Sequence, residues 1–116
     1  LKESLFITEA MVIGYKKPYI TALIIPNFEE LKLWATHHKV HWTGPQYMVL
    51  HPKIIKHYKD IIEKINKQLK RHEFIKNFHL LHEEWSISHG EYTPTLKIKR
   101  DNIQEKYKKN IDAMYS

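Results

Sequence analysis

The feature that most constrains this chain is the β-prone run from Tyr19 to Ile25, which ends in Ala22, Leu23, Ile24 and Ile25 without a polar break. A strand with one wet face alternates apolar and polar residues, whereas a continuous apolar run is the pattern of a strand covered on both faces. A second β-prone run, Ile7 to Ile13, lies just upstream. Between them Gly14-Tyr-Lys-Lys-Pro18 sets Gly and Pro around a short polar stretch, which predicts a hairpin.

Helical signals follow. Pro26-Asn27 closes the second run, and Asn27 with Glu30 has the spacing of a capping box. Phe28, Leu31, Trp34, Ala35 and His38 then recur on one helical face. Gly44 and Pro45 interrupt Val40 to His51, leaving a short turn at Gln46 to Leu50. Pro52 is placed as a first-turn proline. It opens the clearest helix, whose stripe is Ile54, Ile55, Tyr58, Ile61, Ile62, Ile65 and Leu69. On its other face Lys56 with Asp60, and Glu63 with Lys67, have the spacing of surface ion pairs. Phe74 to Leu81 reads as a third strand and Ser86 to Thr95 as loop. Asp101, with Gln104 at capping-box spacing, starts a last helix with the stripe Ile103, Tyr107, Ile111 and Met114. The sum is a small α+β domain over residues 1–116, without internal repeat or low-complexity stretch.

At 116 residues with 42% apolar content, including seven Tyr, four Phe and three Trp, the chain has the means to build one core. It has no cysteine, which excludes a disulfide framework or a thiolate metal site and fits a reducing compartment. No apolar run approaches a membrane span and no signal peptide is seen, so a soluble, cytoplasmic protein is expected, with peripheral attachment to the cytoplasmic membrane face left open. Leu1-Lys2-Glu3-Ser4-Leu5 lacks an initiating Met and reads as the tail of a helix already under way, as in a piece of a longer protein. The net charge of +6 suits nucleic acid, anionic lipid or phosphate-bearing small molecules, and equally a solvated Lys-rich surface.

The segment best suited to chemistry is Gly90-Glu-Tyr-Thr-Pro-Thr-Leu-Lys-Ile-Lys-Arg100. It joins a flexible Gly, a rigid Pro94, two Thr hydroxyls and three cations. A lysine on a proline-stiffened loop can present a point charge to a phosphate or carboxylate. An ordinary basic loop before a helix has the same composition. Nine histidines offer the spacings His37/His41 and His79/His82, but no carboxylate completes a recognised pattern and no metal site is assigned. Trp34, Tyr58, Phe78 and Tyr107 fall on apolar stripes or strand positions, which favours core over base stacking and argues against a nucleic-acid partner.

Thr93 to Arg100 resembles the terminal signature of long-chain fatty acyl-CoA synthetases, members of the AMP-forming, adenylate-forming superfamily. Upstream, Ile7 to Gly14, Pro18 to Pro26 and Asn27 to Ala35 resemble that family's hairpin and following helix. His72-Glu-Phe-Ile-Lys-Asn-Phe78 resembles its stretch before the last loop. The match runs in order over most of the chain. The wider superfamily usually has Gly just before the catalytic lysine; Leu96 stands there in this chain, as in the long-chain subgroup, and Tyr92 replaces the subgroup's more frequent Leu.

The resemblance implies a C-terminal lid domain: a small three-stranded, mainly antiparallel sheet with helices packed on it. It implies a two-step reaction in the parent enzyme, in which a fatty acid attacks ATP to give acyl-adenylate and pyrophosphate, and CoA then displaces AMP. ATP, Mg2+, CoA, the fatty acid and a large N-terminal domain are the implied partners, and no cofactor is expected on the lid itself. Lys97 takes the position of the catalytic lysine, with Glu91, Thr93, Thr95, Lys99 and Arg100 near the substrate phosphates. With no phosphate loop or adenine pocket of its own, the piece alone is expected to be inactive. The competing classes are a basic binding module for nucleic acid or an anionic membrane surface, and an interaction domain without chemistry.

Overall fold

Phe6, at the entrance to the first strand, ties the fold together. Its carbonyl accepts hydrogen bonds from the Asn27 N–H at 2.8 Å and the Tyr58 hydroxyl at 2.6 Å. It thereby joins the segment before β1 (Ile7–Ile13) to the end of β2 (Ile20–Pro26) and to the long helix α3 (Pro52–Asn66). A computed structural model describes all 116 residues. The remaining elements are α1 (Phe28–His37), α2 (Pro45–Met48), a 3-10 turn at Arg71–Glu73, β3 (Ile75–Leu80), α4 (Arg100–Lys106) and α5 (Lys108–Met114).

The sheet has the order β1-β2-β3, so the most apolar strand is central. Ala22 and Ile24 join a core with Leu31, Ala35, Ile54, Tyr58 and Ile62 of α1 and α3. Leu23 and Ile25 face the other way into a second core with Ile103, Ile111 and Met114 of α4 and α5. All four are at most 1% exposed. The unbroken apolar run is thus explained by two cores, one on each face of β2.

The three-stranded α+β architecture matches the expectation, but the sheet is mixed rather than mainly antiparallel. β1 and β2 pair antiparallel through the predicted hairpin, whereas β2 and β3 run parallel. The reason lies in the connection: α1, α2 and α3 carry the chain back along one face, and a strand entered after such a crossover runs the same way as the strand before it. A register shift between Ile7 and Glu9 has a further consequence. The extra residue lets Ile7 enter the first core while Met11 and Ile13, of the same parity, enter the second.

Local details show which sequence signals carried. The Asn27 side chain accepts from the Glu30 N–H at 3.3 Å, capping α1 as expected. His51 caps α3 with its Nδ1, ahead of Pro52. Lys56 pairs with Asp60 at 3.2 Å, and Glu63 forms no pair with Lys67. α3 ends at Asn66, so Leu69 lies beyond it; the Asn66 amide bonds both the N–H and C=O of Ile75, standing in for a neighbouring strand at the start of β3. Residues 1–6 form turns, not the end of a helix. The last helix begins at Arg100, with Lys99 rather than Asp101 at its N-cap, and breaks at Tyr107 into two short helices. Tyr58 is fully buried, and Trp34, Phe78 and Tyr107 pack partly buried against the cores.

Two histidines make the fold sensitive to acid. The His57 ring stacks on Trp34 at 4.1 Å and meets Phe6 edge-on at 4.5 Å. Burial and the neighbouring His38 hold His57 below its ordinary value, Asp60 opposing; burial does the same to His79. The folded chain therefore keeps both rings neutral at pH values where the unfolded chain, titrating near about 6.5, already binds protons. Stability should be full above that value and fall as pH drops below it. Urea unfolding followed by Trp fluorescence checks this: the midpoint at pH 5 should lie below that at pH 7, and His57→Gln should flatten the difference.

Candidate functional site

The segment expected to be loop, Ser86 to Thr95, folds into a closed turn followed by a small hairpin. Ser86 Oγ accepts from the His89 N–H at 3.1 Å, and the Ser86 carbonyl accepts from Glu91 N–H at 3.2 Å and Tyr92 N–H at 3.3 Å. Gly90 sits at φ +84°, a conformation natural to Gly, and its carbonyl accepts from the Asn102 amide of α4 at 3.0 Å. Tyr92 and Ile98 then bridge antiparallel, and the Lys99 N–H reaches the Glu91 carbonyl at 2.9 Å.

Thr93 closes the tip with three groups. Its N–H donates to the Lys97 carbonyl at 2.8 Å, its carbonyl accepts from Leu96 N–H at 2.8 Å, and its hydroxyl accepts from Lys97 N–H at 3.0 Å. Between them Pro94-Thr95-Leu96 form a three-residue loop with Leu96 in the left-handed region, φ +62°. Such loops end in a left-handed residue that is usually Gly. Leu pays a steric cost there, so Leu96→Gly should stabilise the chain by about 1 kcal/mol, read as a higher urea midpoint, while Leu96→Ala should gain little.

Of the residues singled out by sequence, Lys97 stands exposed at the tip, and its ammonium makes no ion pair or hydrogen bond within the domain. Lys99 is exposed beside it. The hydroxyls of Thr93 and Thr95 lie 3.1 Å apart, braced against each other. Arg100 is turned back to β1, donating to the Val12 carbonyl at 2.6 Å. Glu91 points inward: its side chain is 3% exposed, with Oε1 accepting from Ser86 N–H at 2.9 Å and Oε2 from Lys106 Nζ at 2.9 Å. The structure therefore brings Lys97 and Lys99 to one exposed edge and assigns Glu91 and Arg100 visible contacts at the hairpin's base.

The sequence reading missed Glu9. It is 6% exposed at the register shift of β1, accepts from the Tyr92 hydroxyl at 2.8 Å and pairs with Lys2 at 3.3 Å. Burial and this carboxylate push the Tyr92 phenol well up. The signal was a charged residue at an inward position of Ile7-x-Glu9-x-Met11-x-Ile13, where alternation calls for an apolar side chain. Tyr92 on Glu9 and Arg100 on Val12 fix the hairpin's base to β1, Glu91 on Lys106 fixes it to α4, and the tip is left free to meet another molecule.

A mixed sheet with helices on both faces and a rigid hairpin presenting a free lysine define a class, and comparison with known proteins identifies it. The family model described as "AMP-binding enzyme C-terminal domain" matches residues 1–116. The chain belongs to that family. It is similar to the long-chain-fatty-acid–CoA ligase FadD15 of Mycobacterium tuberculosis, 30% identical over 111 residues that cover 95% of this chain and 18% of the relative. It is also similar to human long-chain-fatty-acid–CoA ligase 6, 26% identical over 86% of this chain and 14% of the relative. The chain thus spans less than a fifth of the length of these curated relatives. Among solved structures, the adenylation domain of a carboxylate reductase from Mycobacterium chelonae superposes with a TM-score of 0.68 at 20% identity, covering 95% of this chain and 16% of that one. The two-domain fragment of the Segniliparus rugosus enzyme, in complex with AMP, gives 0.71 at 18% identity over 95% of this chain and 14% of that one. At such identities these two likenesses speak for the fold.

Proposed function

We propose that the chain is the mobile lid of an ATP-dependent long-chain fatty acid–CoA ligase and that Lys97 is its adenylation lysine. The observation that carries this reading is the braced hairpin: a backbone closed by Thr93 at both ends of the tip holds one unpaired ammonium in solvent. The named ligases among the relatives supply the substrate class.

The chemistry follows from charge. A fatty carboxylate attacking the α-phosphate of ATP brings two anions together. An ammonium placed between them offsets that repulsion and is of most use as the new bond forms. In the reaction the carboxylate oxygen bonds to the α-phosphorus as the bond to pyrophosphate breaks; CoA thiolate then attacks the acyl carbon and AMP leaves. Lys99 adds positive potential to the same edge. No group of three or more His, Cys, Asp or Glu side chains is placed to hold a metal ion in this domain. ATP, CoA, fatty acid and the large domain complete the site in the full-length enzyme, and the lid alone is inactive. No helix is long and apolar enough to cross a membrane; a cytoplasmic enzyme with peripheral membrane contact is the corresponding proposal.

The experiment is ATP–pyrophosphate exchange by the full-length enzyme across a series of fatty acids. Exchange that requires a long-chain acid supports the reading. Exchange driven instead by an amino acid or an aromatic acid would replace it with another adenylate-forming activity.

A further inference from the structure

Three non-glycine residues of the chain occupy the left-handed backbone region: Lys16, Lys39 and Leu96. The two lysines keep their charged ends in water. Leu96 alone combines the strained backbone with an exposed apolar side chain, 65% accessible, at the tip of the hairpin next to Lys97. Gly or Asn would adopt this backbone at lower cost and neither would expose a leucine. The hairpin's other large apolar side chains, Tyr92 and Ile98, pack against the second core. Strain kept at a single exposed position beside a reactive group points to a contact made elsewhere.

We infer that Leu96 is a closure contact: when the hairpin delivers Lys97, the leucine seats against an apolar wall of the large domain and holds the lid in its adenylating orientation. This rests on the reading of the hairpin given above. The chain spans 18% or less of its curated relatives, so the surface that meets the hairpin lies in the remainder of the protein. The occupant proposed is protein wall and not the acyl chain, which predicts an effect independent of acyl length.

The test is single-turnover adenylate formation by the full-length enzyme with a short, a medium and a long saturated acid, for Leu96→Asn, Leu96→Gly, Leu96→Met and Lys97→Ala. Losing the burial of most of a leucine should slow adenylation about tenfold in the Asn and Gly variants, equally for every acid, with Met within about twofold of wild type. Leu96→Gly should pair that loss with a higher unfolding midpoint, which a merely structural role would not produce. Wild-type adenylation by the Gly and Asn variants would overturn the inference, as would a loss that grows with acyl length. Lys97→Ala separates the two ideas: its retention of activity would remove the lysine's role whatever the leucine variants do.

Discussion

Replacing Lys97 by alanine in the full-length enzyme should lower the rate of acyl-adenylate formation by about a thousandfold. A unit charge about 4 Å from the reacting anions, at an effective dielectric near 20, supplies roughly 4 kcal/mol. If that attraction is felt mainly in the transition state it converts to about three powers of ten in rate. Lys97→Arg should recover only part of it, because a planar guanidinium cannot occupy the compact position of an ammonium between two closely approaching anions. The substitution should leave the fold unchanged, since the Lys97 side chain makes no bond within the domain and its backbone groups, which close the turn with Thr93, are untouched. Unfolding midpoints of wild type and Lys97→Ala should therefore coincide.

The largest effect on stability is expected at Lys106. Burial pushes the Glu91 carboxyl up, but the Lys106 ammonium and the Ser86 N–H outweigh it and hold the group below the usual carboxylate range. Removing Lys106 leaves a carboxylate whose side chain is 3% exposed with one backbone partner, and should cost about 2–3 kcal/mol. The lysine is itself partly exposed, which keeps the figure below that of a fully buried pair. Lys108→Ala is the control: it breaks an ion pair of the same length, 2.9 Å, between side chains that are 74% and 56% exposed, and should leave the urea midpoint close to wild type. Acid adds a signature. Stability from Glu91 is present above the unfolded carboxyl value and is lost as pH falls through its lower folded value. In Lys106→Ala burial is opposed mainly by the Ser86 N–H, so that loss should begin at higher pH. Urea midpoints for the three proteins, measured from pH 7 down to about pH 4, check both statements.

How far these features were legible in the sequence depends on whether they rest on local periodicity. β1, β2, α1 and α3 were readable because Ile7 to Ile13 is β-prone, Ala22 to Ile25 is an unbroken apolar run and the stripe from Ile54 recurs at the helical period, with Asn27 and Pro52 marking helix starts. The parallel pairing of β3 depends on where three helices return the chain, which no local pattern encodes. The break at Tyr107 was hidden because Ile103, Tyr107, Ile111 and Met114 continue one helical stripe across it. At the site, the position of Lys97 came from the ordered resemblance around it and its exposure from the structure. The contacts of Glu91 with Lys106 and of Tyr92 with Glu9 span 15 and 83 residues, so neither carboxylate's partner could be chosen from spacing. Only the odd charge at Glu9 marked one end of that network.

Lys97 is proposed to serve the first half-reaction and not the second. The most direct measurement takes full-length Lys97→Ala and compares, in single turnover, acyl-adenylate formation from fatty acid and ATP with thioester formation from pre-made acyl-adenylate and CoA. The first should fall about a thousandfold while the second stays within about threefold of wild type. Equal loss in both half-reactions, or no loss in the first, would contradict that role.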